Sequence, residues 1–305
     1  MTVAALRRRL RRYRAVRASY ALTLRMLRRG RRLIDREPLK VATYLGHRFV
    51  YPSDSMIGRH VARHGEWDSI LGRIVELALS RDDPFICEVG SNIGASLLQI
   101  LAVKPRAHVL ALEPSDEFRA LLQTNLAAAG HAGVRVLAAF AGASAGSAWL
   151  YKNETTASGR QAVYADHESR GRQRVEVLTL DDLLHEEARV DFIKIDTDGF
   201  DFEVLKGATR TLERFRPLLF FEVAPELTQD PELGLRDLQA AGYTRFTCLS
   251  PGQHASVVGV TEDPGEVLAW ARDGGYCDVL TSHGSAREMA ARLQAVERAP
   301  AASGR

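Results

Sequence analysis

Along the first thirty positions apolar residues recur every three or four places. Val3, Leu6, Leu10, Tyr13, Val16, Tyr20, Leu24 and Leu27 fall on one stripe, the period of an amphipathic helix. From residue 84 the rhythm changes. Short apolar runs at Phe85–Val89, His108–Leu112 and 134–139 alternate with helical patterns at Ala95–Val103 and 117–129. Strands and helices alternating at this spacing build βαβ units, and hence a parallel sheet. Further strands are expected at 147–151, 174–180, 191–195, Leu218–Val223, 244–249 and 277–280, with helices at 202–212 and 233–241. Between the strands at 147–151 and 174–180, the polar stretch 152–172 reads as a mobile loop of the kind that covers sites.

The flanks read differently. Residues 41–83 predict an extended stretch at 44–51, a Pro-Ser-Asp-Ser turn in which Ser53, Asp54 or Ser55 caps the next helix, and one or two helices ending in 70–79. His60 and His64 share a helix face, but no Glu follows His60 and no third ligand is evident, so a surface or packing role is expected. Past 286 the chain reads as a short helix and a disordered Ala/Pro/Ser/Gly end. The expected organisation is a helical arm (1–40), a lead-in (41–83), an α/β domain (84–285) and a tail (286–305).

Composition narrows the class. The chain has 305 residues, 46% hydrophobic and 26% charged, and no apolar run approaches the roughly 18 residues that cross a bilayer. A net charge of +3 conceals an imbalance: residues 1–40 hold 14 Arg or Lys against two acids, +12, and the rest is −9. Twelve arginines around an apolar stripe suit a helix on an anionic membrane surface. A helix packed on the body or on another subunit, a solvated extension and a mitochondrial presequence are the alternatives. The arginines from Arg7 to Arg32 interrupt every apolar stretch before a secretory core can form. Cys87, Cys248 and Cys277 are too few and too far apart for a disulfide framework or a four-cysteine zinc site. A cytoplasmic protein is expected, with peripheral contact of residues 1–32 at the inner membrane face.

The chemistry concentrates at strand ends. The first strand of the domain runs into Glu88-Val-Gly-Ser-Asn-Ile-Gly94, a tight turn before a helix, which leaves backbone N–H groups at the carboxyl edge of a parallel sheet. Counted from Gly90, the later glycine positions of a dinucleotide fingerprint hold Asn92 and Ala95, and the Gly-Lys-Ser/Thr of a P-loop is absent. A turn that need not wrap a pyrophosphate fits a cofactor without phosphates, of which S-adenosylmethionine is the common one. Glu113 ends the second strand, where a carboxylate can accept hydrogen bonds from ribose hydroxyls. Phe140 and Ala141, after the third strand, are placed to flank an adenine. Asp196 and Asp198 emerge at the same edge, and Glu222 ends the neighbouring strand. These carboxylates either take a proton from a substrate hydroxyl or hold a divalent cation that lowers its pKa. The other reading of Asp198 and Asp201 is as helix-start residues. Lys194 pairs with an acid or reaches the site edge.

These motifs resemble the FkbM family of S-adenosylmethionine-dependent methyltransferases. The resemblance rests on Glu88 to Gly94, Glu113-Pro114 followed by Phe118, Leu122 and Asn125, Leu180-Asp181-Asp182-Leu183, and the run from Phe192 to Ala208. Glu88 stands where that family usually has Asp, Ser91 where it has Ala, and Thr197-Asp198 where it has Val-Glu. The resemblance implies a Rossmann-like class I methyltransferase fold, a seven-stranded, mostly parallel sheet with helices on both faces. It also implies O-methylation of a hydroxyl on a sugar, glycan or related natural product. On this reading Glu88, Gly90, Ser91, Asn92, Ile93, Gly94, Glu113, Phe140 and Ala141 hold the cofactor, and Asp196, Asp198 and Glu222 are catalytic or, with a cation, its ligands. A nucleic-acid methyltransferase tethered by the arm is disfavoured by the acidic body. A non-catalytic subunit that binds cofactor or glycan is the remaining alternative.

Overall fold

The computed structural model of the protein describes residues 38–152, 157–160, 172–228, 230–250 and 256–284. The arm up to residue 37, the tail from 285 and most of the polar stretch 152–172, expected as a helix, a helix with a disordered end and a mobile loop, lie outside the described residues. The first elements form a hairpin, β1 (Leu39–Tyr44) and antiparallel β2 (His47–Pro52). Leu45 and Gly46 both sit at positive φ, the two-residue turn whose twist matches a hairpin. One extended stretch was expected here; that turn divides it into two strands. Then come α1 (Met56–His64) and α2 (Ser69–Ala78). The hydroxyl of Ser55 caps α1 by accepting the Gly58 N–H at 3.1 Å.

The α/β pattern follows as β3 (Phe85–Val89), α3 (Ala95–Val103), β4 (His108–Leu112), α4 (Asp116–Ala128) and β5 (Arg135–Leu137). Next are β6 (Ala139–Ala141), β7 (Gly146–Lys152), β8 (Ala157–Arg160), β9 (Arg172–Leu178) and the short α5 (Leu180–Leu183). The chain continues through β10 (Phe192–Ile195), α6 (Asp201–Lys206), α7 (Thr209–Phe215), β11 (Leu218–Val223) and α8 (Pro231–Ala240). It closes with β12 (Arg245–Leu249), β13 (Val257–Thr261), α9 (Pro264–Gly274) and β14 (Cys277–Ser282).

The main sheet runs β13-β12-β14-β11-β10-β3-β4-β5. Its parallel half, β5 to β11, has the 3-2-1-4-5 order of a doubly wound fold, and β14, β12 and β13 extend it antiparallel. Eight strands therefore stand where seven were expected, the addition being β13 at the edge. The expected third strand, 134–139, is divided: β5 stays in the main sheet while β6 joins a separate sheet ordered β6-β9-β7-β8. The expected helix 202–212 breaks into α6 and α7 at Gly207, where a Cβ would lie 2.0 Å from the Gly142 carbonyl oxygen.

Alternating side chains bury both faces of the sheet. Ile86 of β3 joins a core with α1 to α4 and the hairpin, whereas Cys87 and Val89 join a second core with α5 to α9. Asn125 of α4, fully buried, ties the hairpin to the domain. Its Oδ1 accepts the Val50 N–H at 2.7 Å, and its Nδ2 donates to the carbonyls of Val50 and Ile93 at 3.0 and 2.9 Å. Among the described residues no helix is long and apolar enough to cross a membrane.

Candidate active site

The strand order reverses between β3 and β10, and the carboxyl ends of an open sheet at such a point frame a ligand crevice. A cavity of about 380 Å³ lies there. Its floor is the turn after β3, where Gly90, Asn92 and Gly94 hold φ of 86°, 48° and 90°. The N–H groups of Gly90 and Ser91 donate to the Leu112 carbonyl at 3.0 and 3.1 Å. A Cβ on Gly90 would sit 2.0 Å from the Asp196 carbonyl oxygen, so the turn lies against the end of β10 and only glycine fits. Ser91 is almost wholly buried in the cavity wall, and its Oγ lacks a hydrogen-bond partner among the described residues.

Glu113 stands at the end of β4. Its Oε2 accepts the Asn92 N–H and its Oε1 the Ser115 N–H, both at 2.8 Å. Burial pushes its carboxyl up to about 7, against the pull of those two N–H groups. Each oxygen retains lone-pair capacity, and Glu113 faces the cavity with Phe140 and Ala141 of β6.

The acidic side begins at Asp196, whose N–H donates to the Val89 carbonyl at 3.0 Å. Beneath it Lys194, 1% exposed, places Nζ 3.0 Å from Asp196 Oδ2 and 3.9 Å from Glu88 Oε1. Burial alone works against the lysine's charge, but Asp196, Glu88 and Asp68 hold its pKa above the ordinary value. Glu88 Oε1 also accepts the Ser96 hydroxyl at 2.7 Å, and Oε2 is buried without a hydrogen-bond partner among the described residues. Of the expected cofactor set, Gly90, Ser91, Asn92, Glu113, Phe140 and Ala141 line the cavity; Glu88, Ile93 and Gly94 lie behind it.

Asp198, at φ 53°, and Glu222 line the cavity with Asp196. Neither Asp198 nor Asp201 caps α6, whose N-cap is Phe200 without a side-chain bond. Asp201 is instead a buried brace. Its Oδ2 accepts from the Thr197 hydroxyl at 2.8 Å and its Oδ1 from the Glu222 N–H at 3.0 Å, fastening the loop after β10 to β11. Asp68, Trp67, Tyr276 and Asp278 also line the cavity, although no motif in the sequence marks them. The signal for Asp278 was a lone acid in the apolar strand pattern of β14. For Asp68 there was only an acid beside a tryptophan ahead of a helix. The His60 ring lies 4.5 Å from that of His64, tilted by 33°, and meets Trp67 edge-on at 5.7 Å, a packing arrangement. Among the described residues no three His, Cys, Asp or Glu side chains could hold a metal ion. The cation alternative for Asp196, Asp198 and Glu222 therefore finds no support, and Asp196 is engaged with Lys194.

Glu222 is pushed up to about 8, first by burial and then by Asp196, Asp201 and Asp198, with Lys194 pulling the other way. The folded state thus keeps a proton that the unfolded chain releases above the ordinary glutamate value. Stability from this group is complete below that value and is lost as pH rises to about 8. Glu222→Gln is expected to match the parent in thermal melts near pH 4 and to exceed it near pH 9. A difference that stays constant with pH would contradict this.

The strand order, the glycine turn and the acid ending β4 define a Rossmann-like class I methyltransferase fold. A family model described as the methyltransferase FkbM domain matches residues 88–276. The chain belongs to the FkbM methyltransferase family. Among solved structures, methyltransferase FkbM from Methylobacillus flagellatus KT is 19% identical with a TM-score of 0.42, the match covering 65% of this chain and 44% of that one. The chain thus spans less than half the length of that relative. The O-methyltransferase from Bacillus cereus in complex with SAH is 15% identical with a TM-score of 0.40, covering 71% and 80%. An rRNA methylase from Streptococcus thermophilus is 9% identical at 0.40, covering 70% and 93%. No curated protein matches the chain.

Proposed function

We propose that the protein is an S-adenosylmethionine-dependent O-methyltransferase acting on a hydroxyl of a sugar, glycan or related natural product. The observation that carries this reading is the convergence of the Gly90 turn, Glu113 and Asp196 on one cavity at the switch point of the sheet. These residues fit the cofactor: the glycine cradle is closed to any Cβ, the Ser91 hydroxyl is buried and free to bond, and Glu113 is held rigid by two backbone N–H groups.

S-adenosylmethionine, when bound, supplies an electrophilic methyl group on a sulfonium sulfur. The N–H groups of Gly90, Ser91 and Asn92, expected to be open, are spent on Leu112 and Glu113, so the Ser91 hydroxyl would meet its amino-acid end where that end lies over the turn, with Glu113 at its ribose hydroxyls and Phe140 with Ala141 at its adenine. Asp196 accepts the proton that the acceptor hydroxyl gives up, and Lys194 beneath it fixes the carboxylate in place. Asp198 and Glu222 border the acceptor. Most of the rate gain comes from orientation of the acceptor oxygen. Residues 1–32, by their charge, would keep the protein at the anionic inner face of a membrane in the cytoplasm.

The reading is tested by incubating the full chain with methyl-labelled S-adenosylmethionine and a pool of sugar and glycan alcohols. The label is expected in a methyl ether on oxygen. Label found on nitrogen, carbon or nucleic acid would contradict the assignment.

A further inference from the structure

Besides Glu113 and Asp196, the cavity wall carries the carboxyl groups of Asp68, Asp198, Glu203, Glu222 and Asp278, and among the described residues no Lys, Arg or His side chain lines it. Lys194 lies below the floor, engaged with Asp196 and Glu88. The carboxylates are not spread evenly. Neighbouring strands are about 4.8 Å apart, so Glu222 on β11 and Asp278 on β14 stand one and two strands beyond Asp196, away from the β3 turn and from Glu113 on β4.

Glu222 and Asp278 are register partners across the β11–β14 ladder. Like charges directly opposite in a sheet destabilise it. Burial, followed by Asp68, Asp196 and Glu222, pushes Asp278 well above the ordinary range, while burial and neighbouring acids bring Asp68 to about 6. Trp67 and Tyr276 stand in the same wall. Carboxylates beside aromatic rings are the surroundings that bind an ammonium group, by charge-assisted hydrogen bonds and by the ring face. The buried Ser91 hydroxyl, without a hydrogen-bond partner among the described residues, stands at the cofactor end of the same cavity and marks the cavity as one that holds a ligand.

We infer that the acceptor is a cationic alcohol of the amino-sugar kind, its protonated amine seated between Glu222 and Asp278 and its hydroxyl turned toward Asp196. The inference rests on the methyl-transfer reading of the same cavity and names its substrate class. A cationic amine is the partner that lets Glu222 and Asp278 ionise; an anionic acceptor, such as a uronate, a phosphorylated sugar or a nucleic acid, finds a wall of carboxyl groups with no lining cation to pair with among the described residues and is refused.

The test uses the full chain with S-adenosylmethionine and three matched probes: methyl glucosaminide, its N-acetyl derivative and methyl glucuronide. Transfer to the amine is expected to exceed transfer to the N-acetyl compound by roughly ten- to a hundredfold in kcat/KM, the worth of a hydrogen bond to a charged group. Transfer to the glucuronide is expected to be weaker still. Glu222→Gln and Asp278→Asn, which keep side-chain size, should each reduce the amine preference about tenfold. Equal or better transfer to the N-acetyl compound or the glucuronide overturns the inference. So does an amine probe that is neither methylated nor bound more tightly than its N-acetyl counterpart. Cofactor binding, titrated alongside, separates the two levels. A chain that fails to bind S-adenosylmethionine contradicts the methyl-transfer reading, and one that binds it but fails the probe comparison contradicts charge selection alone.

Discussion

An Asp196→Asn chain is expected to transfer methyl groups about 10²- to 10⁴-fold more slowly than the parent, the usual worth of a positioned general base, with cofactor affinity unchanged. Asp196 is suited to that role by position. Its backbone is pinned to Val89, one carboxyl oxygen is held by Lys194 at 3.0 Å, and the side chain is 56% exposed at the cavity edge. Asparagine keeps the shape and still accepts a hydrogen bond from Lys194, but it cannot take a proton from the acceptor. The loss should therefore fall on kcat, with KM for the cofactor steady. Because the substitution removes one of the carboxylates that balance a buried lysine, thermal melts must accompany the assay. A folded Asn variant with full activity would remove Asp196 from proton transfer.

Gly90→Ala is expected to weaken cofactor binding and to slow methyl transfer by about a hundredfold or more. Its φ of 86° costs an alanine about 1–2 kcal/mol by itself. The added Cβ would also meet the Asp196 carbonyl oxygen at 2.0 Å, and a backbone atom cannot swing aside as a side-chain tip can. Either the turn or the end of β10 must move, and a displacement near 1 Å at a reacting site costs about 10²-fold in rate. Gly46→Ala is the control: the φ is similar, 81°, but nothing lies within 4 Å of the added carbon. It should lose about 1–2 kcal/mol of stability and no cofactor affinity, as calorimetric titration and denaturant unfolding of both variants would show. Equal binding by the two variants would contradict the proposed role of the Gly90 turn.

The parts of the fold that were legible in the sequence are those governed by local pattern. β3, α3 and β4 begin and end where apolar periodicity and glycine put them, because each is short, regular and flanked by turn residues. The division of 134–139 between two sheets was hidden, since Arg135 to Ala141 carries no Gly or Pro to mark the change. The break between α6 and α7 was hidden for a different reason: its cause, the approach of Gly207 to Gly142, is remote in sequence. The same contrast holds at the site. Gly90 to Asn92, Glu113 and Asp196 were legible as strand-end chemistry. Glu88 shares their motif, but strand alternation turns it away from the cavity toward Ser96 and Lys194. Asp278 becomes a site residue only because antiparallel pairing sets it opposite Glu222, and no local signal encodes that pairing.

Hydrogen exchange of the full chain with and without S-adenosylhomocysteine reports where on the sheet the ligand sits. Slower exchange of amides that are already hydrogen-bonded is predicted in the turn from Gly90 to Asn92 and around Glu113 to Ser115, together with slower exchange along Ala139–Ala141. Protection confined to other segments, or none at saturating ligand, would contradict a cofactor site at this edge of the sheet.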